Sequence, residues 1–396
     1  MTEKPWGTLV GVRPAKQLHR LLDQGMNYET AFAQMHAESK ISPEKFSLLW
    51  QVCQKERPIL AESSQPHLFS VYVGIPFCPT RCLYCSFPSH SLTELGSFRK
   101  QFIATLLEEI VATGALTQEL NLQPYTVYFG GGTPTALNAE ELDTIISALR
   151  QAFPGTWCEF TIEAGRPDTL TAEHLEVMSQ HGVNRISINP QTMHQATLNR
   201  IGRRHTPEDI IHAMQAVRRT KIDIINMDLI VGLPGEKPKL VQASVQQVLA
   251  LSPENITLHV FSRKRASRYA KNEELFPLPD KDKIIEMHGI ATTLITEQGY
   301  QPYYLYRQRD ILGGLENIGY ALPGSECLYN IVMIEERHHI LGLGGGASSK
   351  FIRPDFSLKN ISSPKDVRMY IERCPQLLQL REHELRKVIS LAKINS

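Results

Sequence analysis

Between Phe69 and about His259 short apolar runs alternate with amphipathic ones, and this rhythm constrains the fold more than any other feature of the chain. Phe69 to Ile75, Thr126 to Phe129, Glu159 to Glu163, Arg185 to Ile188, Ile224 to Ile230 and Asn255 to His259 read as strands. Helix starts fall between them. Asn138 with Glu141 forms a capping-box pattern, and Thr171 and Thr206-Pro207 read as caps. Gly182 after Gln180-His181 reads as a helix stop. Strands separated by helices imply an α/β protein with a parallel sheet, and right-handed crossovers curl such a sheet into a full or partial barrel.

The flanks differ. Residues 1–65 read as a helical N-terminal segment, with helix-period apolar positions over Lys16 to Leu22 and Ser42 to Cys53. The polar stretch Glu62-Ser63-Ser64-Gln65-Pro66 marks a boundary, so residues 66–260 form the expected core. Residues 261–396 read as a smaller α+β domain on the substrate side. In it Phe261 to Arg268 is basic, Pro277-Leu278-Pro279 is a turn and Lys281 to Gln298 is a helix. Tyr303 to Tyr306 and Leu328 to Glu335 read as strands of a more antiparallel unit, and a last helical region runs from about Lys365.

Composition removes several function classes. A formal net charge of +1 over 396 residues gives no electrostatic case for nucleic acid or a membrane surface. No apolar run is long enough to span a bilayer, and Met1 to Trp6 has no apolar signal core, so a cytoplasmic location is expected. Of seven cysteines, three crowd into one loop, while Cys53, Cys158, Cys327 and Cys374 are scattered. That is not a disulfide framework, and it fits a reducing compartment. The scattered cysteines read as structural, with Cys327 the one of interest.

The first core strand ends in Pro76-Phe77-Cys78-Pro79-Thr80-Arg81-Cys82-Leu83-Tyr84-Cys85. Barrels of this kind place their active sites at the C-terminal ends of the strands. Three thiolates in one loop can bind three irons of a cubane, leaving the fourth iron for a small molecule. On the loop alone, zinc with His90 as a fourth ligand stays open. The next strand ends in Phe129-Gly130-Gly131-Gly132-Thr133-Pro134-Thr135, where glycines let backbone approach a ligand. No Gly-Lys-Ser/Thr follows, which argues against a phosphate loop. Later strand ends each offer a polar group: Glu163, Gln191, Arg203 beyond the fourth strand, and Asp228 before Gly232-Leu233-Pro234-Gly235. Carboxylates suit ribose hydroxyls, and arginine suits a carboxylate.

These motifs resemble the radical S-adenosylmethionine (SAM) superfamily. The resemblance implies a partial (β/α)6 barrel of the TIM-like type and a [4Fe–4S] cluster on Cys78, Cys82 and Cys85. It also implies a SAM site lined by Tyr72, Tyr84, Gly131, Gly132, Thr133, Glu163, Gln191, Arg203 and Asp228. From Val71 to about Phe351 the chain is similar to the oxygen-independent coproporphyrinogen III oxidase, or HemN-like, group. The shared stretches are Tyr72 to Cys78, the glycine motif, the Glu163 strand, Gln191 with Gly202-Arg203-x-His205, and Asp228-Leu-Ile-x-Gly-Leu-Pro. Three further stretches point to the HemZ branch: Trp6 to Pro14, Lys264 to Arg268, and Glu326 to Asn330 followed by Leu343 to Ser348. Members of that branch usually carry an additional N-terminal region, which this sequence does not show. The best-understood oxidases have histidine at the position of Gly74 and a further cysteine at that of Phe87.

The resemblance implies oxidative decarboxylation. A deoxyadenosyl radical abstracts a β-hydrogen from a propionate of coproporphyrinogen III, and the substrate radical loses carbon dioxide and one electron to leave a vinyl group. Two such events give protoporphyrinogen IX in heme biosynthesis. A low-potential donor such as ferredoxin or flavodoxin would serve the cluster. The alternatives are a heme chaperone on the same barrel, indicated by Phe87, or another radical SAM activity on a tetrapyrrole. The polyanionic substrate calls for cations, and Arg263, Lys264, Arg265 and Arg268 are the candidate clamp, with Arg13 and Lys16 weaker ones. Leu341 to Ala347 lacks dinucleotide-binding glycine spacing and reads as a close backbone approach to SAM or substrate. His338-His339 reads as an exposed strand-end pair rather than as heme ligands.

Overall fold

The computed structural model describes residues 5–9, 11, 13–86, 90–91 and 96–395. The position of Phe87 and the side chain of His90 lie outside the described residues. Three helices lead in: α1 (Ala15–Asp23), α2 (Tyr28–Ser39) and α3 (Pro43–Ser63). The core then runs β1 (Leu68–Ile75), a small pair β2 (Phe77–Cys78) and β3 (His90–Ser91), α4 (Arg99–Glu119), β4 (Gln123–Gly131), α5 (Ala139–Ala152) and β5 (Glu159–Glu163). It continues through α6 (Ala172–Gln180), β6 (Arg185–Ser187), α7 (Gln195–Arg200), α8 (Pro207–Val217), β7 (Ile224–Val231), α9 (Pro238–Ala250) and β8 (Asn255–Val260). The remainder is α10 (Lys281–Glu297), β9 (Gln301–Tyr306), β10 (Asn317–Ala321), α11 (Leu328–Glu335), β11 (His339–Gly344), β12 (Ser348–Ile352), β13 (Leu358–Ser362) and α12 (Val367–Asn395).

The local signals act as the residue types dictate. Reciprocal capping boxes at Asn138/Glu141, Thr171/His174 and Thr206/Asp209 start α5, α6 and α8. Gly182, at φ 71°, turns the chain out of α6. These stops return each strand to one sheet of eleven, in the order β13-β12-β11-β1-β4-β5-β6-β7-β8-β10-β9. The six expected strands lie side by side and parallel, and β11 adds a further parallel strand on the outer side of β1. β12 and β13 on one flank and β10 and β9 on the other are antiparallel extensions, so the C-terminal strands continue the core sheet.

The two faces differ chemically. Val71, Val73, Ile75, Val127, Phe129, Phe160, Ile162, Ile225, Met227, Ile256 and Leu258 join the large core shared with the helices. The alternating positions are Tyr72, Tyr128, Thr161, Glu163, Asn226, Asp228, Thr257 and His259. A parallel sheet packed on both faces is ordinarily apolar on both, so a polar and aromatic face marks something other than core. The sheet also curls. Tyr128 of β4 and Tyr303 and Tyr304 of β9 belong to one packed cluster, although five strands separate β4 from β9 in the sheet order. The result is the partial barrel expected from the sequence.

Leu328 to Glu335 is helix α11, not a strand. Its run of apolar, β-branched and aromatic residues fits a strand locally, but a carboxylate from the barrel caps it. Glu159, at the start of β5, accepts from the backbone N–H groups of Leu328 (2.8 Å) and Tyr329 (3.0 Å). An anion at a helix N-terminus satisfies donors that the helix leaves open and complements its dipole. Arg185 ties the same corner, pairing with Glu159 at 3.1 Å and donating to the carbonyls of Ser325 and Glu326. α11 thereby sits at the N-terminal ends of the parallel strands, opposite the cysteine loop.

His338 and His339 are buried, not exposed. His338 faces Ser70 Oγ at 2.9 Å and the Ser63 carbonyl at 2.7 Å, and burial lowers both imidazoles to about 4. Gly342, Gly344 and Gly345 of Leu341 to Ala347 make their close approach to neighbouring strands and to Pro76. A Cβ on Gly344 would overlap the Gly74 carbonyl, and one on Gly345 would meet Pro76. Arg381 of α12 is fully buried and binds Glu109 of α4 at 2.8 Å and the Gly342 carbonyl at 2.9 Å, clamping β11 in place.

Candidate active site

The cysteine loop is braced by the glycine motif. Gly132 N–H donates to the Ile75 carbonyl at 2.7 Å, and Thr133 N–H to the Phe77 carbonyl at 2.9 Å. Gly131 has φ 107°, and a Cβ there would lie 2.8 Å from the Ile75 oxygen. A Cβ on Gly132 would overlap the Phe77 carbonyl. These glycines therefore let β4 close onto Ile75 and Phe77, just before Cys78. The far end of the loop is held where Leu83 N–H donates to the Ile201 carbonyl and Tyr269 N–H to the Leu83 carbonyl, each at 2.9 Å.

Cys78 and Cys82 are buried and Cys85 is half-buried. Burial pushes the Cys78 thiol up to about 12, with Cys85 and Cys82 adding to the rise and Arg166 and Arg203 opposing it. Arg166 reaches Cys82 Sγ at 3.7 Å and Thr80 through its carbonyl and hydroxyl, while Asp168 grips the guanidinium at 2.9 Å. Arg203 donates to the Gly165 carbonyl at 2.7 Å and to the Tyr84 hydroxyl at 3.3 Å. Three clustered thiols, one of them a buried Cys78 that resists ionisation, with two guanidiniums beside them, suit a cationic metal cluster that draws out thiolates.

The other expected residues gather around this loop. A Cβ on Gly130 would lie 3.0 Å from the Tyr72 hydroxyl and 3.1 Å from Glu163 Oε1, so both line the same opening. Burial raises Glu163 to about 7, although it accepts from the Tyr128 hydroxyl at 2.6 Å. Gln191 is a non-glycine residue at φ 68°. Two backbone hydrogen bonds hold it there, from its N–H to Asp228 O and from Ile230 N–H to its own carbonyl, both 2.9 Å. Strain of this kind persists where surrounding structure over-determines it, often at functional sites. Burial alone would raise Asp228, but His259, Asn226 and Thr257 outweigh it and hold the carboxyl below its ordinary range. Thr133 is buried beside Thr135, 3.3 Å away.

Several buried polar atoms here have no partner among the described residues: Gln191 Oε1, Asn189 Oδ1, Thr161 Oγ1 and Arg203 Nε. Buried polar groups are normally satisfied, so unspent donors and acceptors beside the thiols suit a polar small molecule such as SAM.

The basic cluster lies against the loop, and part of it is committed to holding it. Arg268 donates to the Arg81 carbonyl at 3.3 Å, and Arg81 to the Ala266 carbonyl at 2.6 Å. Arg263 pairs with Glu273 at 3.5 Å, Arg265 is exposed, and burial lowers Lys264 while Cys85 opposes that shift. Arg13 and Lys16 lie elsewhere, both paired with Glu336 at 2.9 Å.

Sequence reading missed several residues here. Arg166 follows Glu163 by three positions and carried no motif of its own. Tyr128 and His259 were findable, since each continues the polar alternation of its strand. Tyr329 was hidden by the strand reading of α11. It stacks on Tyr128 at 4.5 Å and on Tyr72 at 6.0 Å, forming an aromatic floor below the thiols. Tyr306, 3.2 Å from His259, extends this lining toward Asp228.

Known proteins decide the family. Residues 72–248 match the model of the Radical SAM superfamily. Over 382 residues the chain is 41% identical to the oxygen-independent coproporphyrinogen-III oxidase-like protein HemZ of Bacillus subtilis, covering 94% of this chain and 75% of that one. The chain belongs to the radical SAM superfamily, in its coproporphyrinogen oxidase-like group. The chain is also similar to the heme chaperone HemW of Lactococcus lactis, 29% identical over 80% of this chain and 78% of that one. The coproporphyrinogen III oxidase HemN of Escherichia coli shares the fold, with a TM-score of 0.64 at 21% identity, covering 82% of this chain and 72% of that one. No helix among the described residues is long and apolar enough to cross a membrane.

Proposed function

We propose that this protein is a radical SAM oxidoreductase that converts propionate side chains of coproporphyrinogen III to vinyl groups. The observation that carries the reading is the chemistry of the inner sheet face. A three-thiol loop opens onto stacked tyrosines and flanking carboxylates instead of an aliphatic barrel core. Held by Cys78, Cys82 and Cys85, a [4Fe–4S] cluster with SAM would supply a hydrogen-abstracting radical. The chain's own residues then have distinct tasks. Arg166 and Arg203 neutralise the ligand thiolates. Glu163 and Asp228 hold ribose hydroxyls, Gln191 and Arg203 take the amino-acid end of SAM, and Tyr72, Gly131, Gly132, Thr133 and Tyr84 shape its seat. Tyr72, Tyr128 and Tyr329 give a flat aromatic surface for a pyrrole ring and keep water from the reacting carbon. Lys264 and Arg265 are the cations of this cluster best suited to unreacted propionates.

The working division is a helical lead-in over 1–65, a radical SAM core over 66–260 and a substrate-side region over 261–396, with a ferredoxin or flavodoxin as electron donor. A heme chaperone is the second reading. It is favoured by the HemW relative and by Gly74, where a Cβ would lie 2.7 Å from the Gly345 carbonyl, leaving no room for the oxidases' histidine. The test is an anaerobic assay of reconstituted protein with SAM, a low-potential reductant and coproporphyrinogen III. Vinyl product establishes the oxidase. Tight heme binding without turnover establishes the chaperone, and a methylated or ring-opened product points to another tetrapyrrole chemistry.

A further inference from the structure

Away from the thiol loop, α1, α3 and α11 meet at a second cluster of metal-ligating side chains. His19 projects from α1, Cys53 and Glu56 from one face of α3, and Glu335 from the last turn of α11. The side chains of His19, Glu56 and Glu335 are 0% exposed, and so is Cys53. One ligand atom each from His19, Cys53 and Glu56 lie within 4.8 Å of one another. His19 Nε2 is 2.8 Å from Glu56 Oε2 and 3.8 Å from Glu335 Oε2.

The cluster is not satisfied by its own members. His19 Nδ1, Glu56 Oε1 and both oxygens of Glu335 are buried without a hydrogen-bond partner among the described residues. Two carboxyl groups and a thiol buried together are costly as anions, and burial accordingly raises Glu56 and Cys53 and moves Glu335 to about 8. The same burial, with Arg337 and Arg57 adding to it, keeps His19 neutral, which is the ligating form of imidazole. Around the cluster, Asp23 is gripped by Arg57 at 2.9 Å and Arg337 at 2.5 Å, and Arg13 and Lys16 face Glu336. This cationic rim offsets surplus negative charge.

We propose that His19, Cys53, Glu56 and Glu335 bind one divalent transition-metal ion of the zinc class. One nitrogen, one sulfur and two carboxylate groups form a four-ligand set for a tetrahedral, borderline-soft ion, and the thiolate disfavours magnesium or calcium. As the ion enters, the thiol and any protonated carboxyl groups release their protons to solvent. The ion's role is structural. It joins the lead-in helices to α11, which carries the Tyr329 ring stacked on Tyr72 and Tyr128.

The test uses the full chain with Cys78, Cys82 and Cys85 all changed to serine, so that cluster iron does not interfere, alongside the intact holoprotein. Zinc is measured by elemental analysis, and cobalt(II) replaces it as a spectroscopic probe. The site predicts one equivalent of zinc in both proteins and a cobalt spectrum with tetrahedral d–d bands and a thiolate charge-transfer band. Cys53→Ser should remove the charge-transfer band. Glu335→Gln, close in shape and chosen to preserve the fold, should weaken zinc binding by about tenfold or more. Folded wild-type protein that takes up neither zinc nor cobalt overturns the proposal. So do a stoichiometry and spectrum unchanged in both Cys53→Ser and Glu335→Gln.

Discussion

Gly132→Ala separates a bracing role of the glycine motif from simple backbone freedom. Gly132 does not have a positive φ, unlike Gly131, so alanine can adopt its backbone and only the new Cβ matters. That Cβ would overlap the Phe77 carbonyl carbon and oxygen, which are backbone and cannot rotate away. Overpacking of this kind costs about 1–3 kcal/mol. Opening the contact also strains two hydrogen bonds, Gly132 N–H to Ile75 O and Thr133 N–H to Phe77 O, each contributing about 1 kcal/mol net. The expected loss is about 2–4 kcal/mol, concentrated one residue before Cys78. Denaturant unfolding of the variant without cluster gives the total, and iron retention after anaerobic reconstitution gives the local effect. Gly289→Ala is the control. It lies inside α10 with nothing within 4 Å of the added methyl, and should stabilise by about 0.5–1 kcal/mol. Unchanged stability and unchanged iron retention in Gly132→Ala would refute the bracing argument.

Other perturbations test the remaining parts. Arg166→Met should leave Asp168 unpaired and remove the guanidinium beside Cys82, lowering cluster retention while the far-UV spectrum is kept. Glu159→Gln breaks its pair with Arg185 and weakens the cap on α11, and should destabilise by about 3–5 kcal/mol in urea titration. Glu163 predicts a pH dependence. Its folded carboxyl is raised from 4.5 to about 7, so the unfolded chain releases its proton first and stability falls as pH rises through that window. The gap in unfolding free energy between wild type and Glu163→Gln should therefore move against wild type from pH 4.5 to 7; a gap that does not move contradicts the raised value.

The core was legible because each of its signals is local. Asn138, Thr171 and Thr206 cap their helices through residues three positions on, and the strand periods follow from burial of alternate residues. The thiol loop, the glycine motif and the strand-end polar groups converge because one parallel sheet aligns its C-terminal ends. What was not legible depends on distant partners. α11 is helical where its own residues favour strand, because Glu159 arrives from far along the chain to cap it. His338 is buried because Ser70 and Ser63 receive it. The glycines of Leu341 to Gly346 answer to Gly74, Pro76 and Ser348 across strands, a neighbourhood that no window of sequence contains. Part of the basic run after β8 looked like a free clamp, yet Arg268 is spent on the cysteine loop.

The most direct measurement is low-temperature EPR of anaerobically reconstituted, reduced protein, with and without SAM, paired with iron and sulfide determination. Wild type should carry a [4Fe–4S] signal that changes shape when SAM is added, and the variant with serine at Cys78, Cys82 and Cys85 should carry none. A wild-type protein without the cluster, or a cluster that survives all three substitutions, would contradict the assignment of these thiols.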